Sequence, residues 1–357
     1  MERKVRAHFH VVRVNRWWVA ALLFALLAGL ALPREVAQRP AQSRGPRVAE
    51  GVTFLGFDFS GLSEAEARAR LEELATAYRV VPVNARRYES DDGTPYSVPE
   101  MNGLELDVDQ TWLRLAAAPP NTAVHPAVRV RPASGRLADL PPGAIRQGNS
   151  EKQAVVLLIN VDWGTDELMR MLPILKRKGA RATFFLSGRW AENNPNMTRL
   201  IVADGHEVGT HGHNLTHGPR ALAAAGRLKD DIQKSVAVIE EITGQKVKYY
   251  APHMSEIDAA IVKTAAELNL QTVLHSLDTV DWNERHATPE RILGTFQKAR
   301  AGDLILLHPK PNTVQVLEQA IDLLHSRGYQ VITLSEMLSP DPLLPGQGGG
   351  PAGSGTD

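Results

Sequence analysis

Five short apolar runs in this chain each end beside a carboxylate or an imidazole. Asp162 closes "VVLLINV", His211 follows "HEVGT", and Pro252-His253 follow "VKYYA". Asp278 and Asp281 follow "QTVLH", and His308 follows "DLILL". These are the side-chain types that move protons near neutral pH or ligate divalent cations. One such residue at the end of a buried strand is commonly a satisfied rim group, but five in register favour a shared cleft. Asp162 and Asp281 could also form a glycosidase-type carboxylate pair, which requires a separation of roughly 5 to 9.5 Å.

The remaining histidines carry less. His213 and His217 stand at i and i+4, which would put them on one face of a helix. The stretch "HGHNLTHGPR" ends in Gly-Pro, however, so both read as exposed loop residues. His206 opens a strand and reads as structural, His275 lies near the cleft, and His286 and His325 read as surface residues. With no cysteine, thiolate nucleophiles, disulfides and zinc–thiolate sites are excluded.

Between residues 151 and 339 strand-like runs alternate with helix-like ones such as "TDELMRMLPILKRKG" and "TVQVLEQAIDLLHSRG". Repeated strand–helix units imply a parallel sheet covered by helices, with functional groups at the strand ends. The region is shorter than the ~250 residues of a full eight-unit barrel, so a distorted (β/α) barrel fits best. An open doubly wound sheet is the alternative. Upstream, residues 51–132 form a smaller α+β domain. Its clearest helix is "SGLSEAEARARLEELATAYR", with Ser63 and Glu66 as a capping box and an apolar stripe of Leu71, Leu74, Ala75 and Tyr78. Residues 33–50 and 133–150 read as linkers, and the Gly/Pro-rich tail 340–357 as disordered.

The ordered set of Asp162 before Gly164, "GHEVGTHGH", "YYAP", "DTVDW" and "GDLILLH" resembles the polysaccharide deacetylase (NodB-homology) family. The resemblance implies the distorted (β/α) barrel and removal of acetyl groups from extracellular glycans such as peptidoglycan. It also implies zinc or another divalent metal held by one Asp and two His, which activates a water. Carried onto this chain, Asp162 takes the position of the base, His308 that of the acid, and His211 that of the first metal histidine. Trp163 stands where the ligand Asp belongs, and an indole offers a donor but no lone pair. Leu215 stands where the second histidine belongs, and Ala251 replaces an arginine beside the base. His213 or His217 could substitute for the missing ligands, and Asp162 itself could move onto the metal. Pro252, His253, Asp278, Asp281 and Trp282 are expected to line the substrate cleft with Trp163. The indole has two readings: packing into the space of a hydrated cation, which its position directly after an apolar strand favours, or stacking on a sugar ring.

Upstream, "GLSEAEARARLEEL" and "PEMNGLELDVDQT" more weakly resemble the module of VanW-type proteins associated with peptidoglycan binding. The whole architecture resembles membrane-anchored deacetylase-like proteins of spore-forming bacteria. Residues 1–16 carry five basic side chains and one acid, and no charge occurs from Trp17 to Leu32. This reads as an anchor, residues 17–32, with its N-terminus inside and the domains extracytoplasmic. A cleaved signal peptide is the alternative. Lys and Arg total 40 against 40 Asp and Glu, so nothing points to nucleic acid as partner. Two functions fit: a deacetylase with an altered metal site, or an inactive relative that binds cell-wall glycan.

Overall fold

The computed structural model describes residues 45–214 and 216–343. The expected anchor at 17–32, Leu215 and most of the expected tail lie outside these residues. Among the described residues no helix is long and apolar enough to cross a membrane.

The N-terminal lobe holds three small sheets. β1 (Thr53–Phe54) and β2 (Phe57–Asp58) form a hairpin. β3 (Arg86–Glu89) and β4 (Pro95–Val98) form a second, and β5 (Gly103–Leu106) is the next strand. β6 (Ala123–Val124) joins β1, and β7 (Val128–Arg131) pairs with β5. The helix Glu64–Ala75 starts on a complete Ser63–Glu66 capping box. It packs Leu71 with Phe54, Phe59, Trp112 and Leu115 into one apolar cluster.

Residues 133–150 do not behave as a free linker. The amide of Leu137 donates to Glu100 Oε2 (2.7 Å), and β8 (Ala144–Ile145) pairs in parallel with β4. On its other side Ile145 bridges to Val273 and accepts the amide of Leu274 (2.7 Å). Proline and glycine here punctuate a strand that joins two sheets.

The larger lobe is a curled half-barrel of parallel strands wrapped by helices. Its strands are β9 (Ala154–Val161), β10 (Thr183–Leu186), β11 (Glu207–Thr210), β12 (Tyr249–Tyr250), β13 (Gln271–Thr272), β14 (Leu277–Asp278), β15 (Leu304–Leu307) and β16 (Gln330–Val331). Their order is β13-β12-β11-β10-β9-β15-β14, with β16 also paired to β9. β9 explains why the central strand reads as unbroken apolar sequence. Val155, Leu157, Ile159 and Val161 pack against the helices, while Ala154, Val156 and Leu158 fill the barrel interior with Phe185, Val273 and Leu304. Both faces are buried, as in most all-parallel sheets. By the same alternation Asn160 and Asp162 continue the interior row, so the strand delivers the carboxylate to the barrel mouth.

Candidate functional site

Two loops at that mouth are pressed together. Gly164 has φ +81°, and a Cβ there would lie 2.5 Å from the Pro309 carbonyl oxygen. Only glycine meets both demands. This contact sets Trp163, after β9, beside His308, after β15. The indole and imidazole planes lie 3° apart with centroids separated by 6.0 Å. The Lys310 ammonium sits 5.2 Å from the indole centroid and 3.5 Å from Glu284 Oε1. Trp163 is 41% exposed, so it does not fill a core void as its place after an apolar strand suggests. The strand has already ended, and the chain turns at Gly164 before another element can cover the ring.

Asp162 accepts a 2.6 Å hydrogen bond from Ser187 Oγ, which also caps the helix Gly188–Asn193. Asn160, one interior position below, keeps a buried Oδ1 without a hydrogen-bond partner. His308 is fixed by Asp281, whose side chain is fully buried. Asp281 Oδ1 accepts from His308 Nδ1 at 2.7 Å, and its Oδ2 accepts the His308 amide and the Thr313 hydroxyl, each at 2.7 Å. Because a carboxylate only accepts, His308 Nδ1 carries a ring proton and Nε2 is the nitrogen left for the cleft. Asp281 therefore acts on the cleft through His308 rather than lining it.

His211 is oriented similarly, with Nδ1 2.7 Å from the Ala251 carbonyl, which makes Nδ1 the donor and frees Nε2. Burial, reinforced by the neighbouring His253 charge, pushes its pKa down to about 3, so the ring is neutral. His253 meets it edge to face at 5.5 Å. Burial lowers the pKa of His253 too, against the opposing pull of the Asp162 carboxylate. His253 follows Pro252 and opens a turn in which Met254 and Ser255 hold φ +57° and +53°. Asp278 accepts the Val280 amide at 2.7 Å and the Trp282 indole N–H at 3.2 Å. Val280 itself holds φ +57°, an outlier for a β-branched residue, and Trp282 is left 49% exposed.

The structure thus gathers Asp162, Trp163, His211, His253, Asp281 and His308 at one mouth, with Asp278 and Trp282 at its edge. It does not bring in His213 or His217. His213 is buried rather than exposed; its amide donates to Asp231, and its ring packs where Gly188 has no Cβ, 2.5 Å from the site of one. His217 is exposed beside the Thr216 hydroxyl. His206 accepts the Ala182 amide on Nδ1 (3.2 Å) against the Phe184 ring, inside the wall.

A divalent cation would find Asp162 and the His211 Nε2 as candidate ligands. Trp163 adds no lone pair, and among the described residues no three His, Asp or Glu side chains converge as a metal cluster. Ser187, Thr313, Asn160 and Lys310 were not singled out by the sequence. Only Asn160 carried a signal, a polar residue inside an apolar strand.

Residues 147–273 match the family model for polysaccharide deacetylase. The uncharacterized protein YlxY of Bacillus subtilis is 34% identical over 277 residues, 77% of this chain and 84% of that one. A peptidoglycan-N-acetylglucosamine deacetylase of Bacillus cereus is 32% identical over 201 residues, 53% of this chain and 90% of that one. Among solved structures, the CE4 family pseudoenzyme BA3943 of Bacillus anthracis is 29% identical, covers 77% of this chain and 96% of its own, and superposes with a TM-score of 0.66. A BA3943 mutant with restored enzymatic activity aligns with the same TM-score of 0.66. The chain belongs to the polysaccharide deacetylase family.

Proposed function

We propose that this protein is a catalytically inactive polysaccharide deacetylase relative that binds N-acetylated cell-wall glycan in its barrel mouth, outside the cytoplasm. The observation that carries the reading is Trp163. The residue in the metal ligand's sequence position presents an exposed indole stacked beside His308 and has no lone pair for a cation. Without a Lewis acid, an Asp–His pair has nothing to polarise an acetamide carbonyl. An exposed indole in a cleft does suit the apolar face of a pyranose ring. The similarity to the Bacillus anthracis pseudoenzyme supports the same reading. The charge-free run Trp17–Leu32 would hold the protein at the membrane, and the N-terminal lobe would add contacts to peptidoglycan.

A second reading, deacetylation at an altered metal site, is favoured by the intact Asp281–His308 pair and the freed Nε2 of His211. Metal analysis of the purified full chain separates the two, combined with acetate release from N-acetylglucosamine oligomers and binding to peptidoglycan. The expected result is sub-stoichiometric zinc, no acetate and retained binding. Stoichiometric zinc, with acetate release abolished by Asp162→Asn and by His211→Ala, would overturn it.

A further inference from the structure

The hairpin of β1 and β2 turns through Leu55 and Gly56, at φ +54° and +80°. A two-residue turn with both φ values positive suits Asn-Gly, Asp-Gly or Gly-Gly, because those residues tolerate the left-handed region. Leucine there is an outlier, held in a backbone region that bulky L side chains rarely adopt. The fold gains little burial in exchange. Leu55 and the neighbouring Phe57 are each 39% exposed, whereas Phe54 and Phe59 are fully buried. Arg70 lies at the base of this tip, its guanidinium 5.7 Å from the Phe57 ring centroid and donating to the Asp58 carbonyl at 2.9 Å.

An apolar tip above an arginine has the chemistry of an interfacial anchor, with leucine and phenylalanine at the acyl boundary and the cation among headgroups. The position along the chain points to lipid as the occupant. The charge-free run ends at Leu32, and residues 33–47 span at most about 50 Å. The folded lobe begins at Val48, only a few residues before the tip. We propose that the Leu55-Gly56-Phe57 tip inserts into the membrane surface and fixes how the lobe stands on it. This rests on the membrane anchoring proposed above, and the test separates the two.

The absence of cysteine makes single-site labelling direct. The full chain carrying Phe57→Cys or Leu55→Cys, labelled with an environment-sensitive fluorophore, is placed in phosphatidylethanolamine–phosphatidylglycerol vesicles containing a chain-quenching lipid. Met169→Cys, at a 61% exposed position on the helix Thr165–Arg177, is the control. Quenching at the tip is expected to exceed the control several-fold. Adding Leu55→Asn to Phe57→Cys should keep or raise the melting temperature while reducing quenching at least twofold. Vesicle-bound protein with tip probes no more quenched than the control overturns the proposal. So does Leu55→Asn with unchanged quenching. A chain that does not float with vesicles removes the anchor reading, and this one with it.

Discussion

Trp163 and His308 hold their rings parallel, with centroids 6.0 Å apart, although they sit on loops after different strands. In the proposed glycan-binding reading, the pair is the floor on which a sugar would rest. Trp163→Ala is therefore expected to weaken binding of N-acetylglucosamine oligomers roughly fivefold, a loss of about 1 kcal/mol. Calorimetric titration measures this, and an unchanged affinity would remove the indole from the binding surface.

Restoring the ligand types should restore the metal. Trp163→Asp with Leu215→His supplies the carboxylate and the second imidazole that the family pattern requires, alongside His211. The double variant is expected to retain about one zinc per chain through gel filtration, typical of a three-ligand catalytic site. Adding His211→Ala should release it. Zinc that stays bound in the triple variant would place the metal elsewhere.

Asp281 is the most heavily committed group of the site, accepting three hydrogen bonds through a fully buried carboxylate. Asp281→Ala leaves the His308 Nδ1–H, the His308 amide and the Thr313 hydroxyl without their acceptor. Losing three hydrogen bonds to a buried carboxylate, with their donors left unsatisfied, destabilises by several kcal/mol, about 1.5–3 for each bond at most. Thr313→Val removes one bond and should cost about 1 kcal/mol. Urea denaturation of the two variants is the check, and similar losses from both would contradict the geometry.

Acid should weaken the fold through histidines held neutral. Burial pushes the His206 pKa down to about 4, and Nδ1 must stay unprotonated to accept the Ala182 amide. Between about pH 6.5 and 4 the unfolded chain therefore takes up a proton that the folded chain refuses. Stability contributed by this group is present above 6.5 and falls as the pH drops, by on the order of 3 kcal/mol at full protonation. His211, pushed down to about 3, acts in the same direction. His206→Asn keeps an acceptor without a titrating ring, so it should flatten part of the fall in urea midpoint between pH 7 and 4.5. An unaltered slope would show that His206 does not carry it.

The parts of the site that lie along single strands were legible in the sequence. The unbroken apolar run of β9 could be followed to its end at Asp162, and the order of strand-end motifs placed His211, His253 and His308 at one mouth. Contacts that reach across strands were not legible. Nothing in the sequence says that Ser187 would bond Asp162, that Thr313 would bond Asp281, or that Asp281 would hold His308 instead of facing solvent. His213 was misread because its burial depends on a distant absence, the missing Cβ of Gly188. Trp163 was misread because apolar neighbours in sequence do not guarantee neighbours in space once the strand has ended.

β8 is only two residues long, yet it pairs with β4 on one side and bridges to Val273, just past β13, on the other. A half-barrel has raw borders, and a bare border is a template for joining other chains. The segment at Ala144–Ile145 occupies that template from within. A fragment beginning after Ile145, the natural place to cut by composition, would therefore trade a covered border for a sticky one.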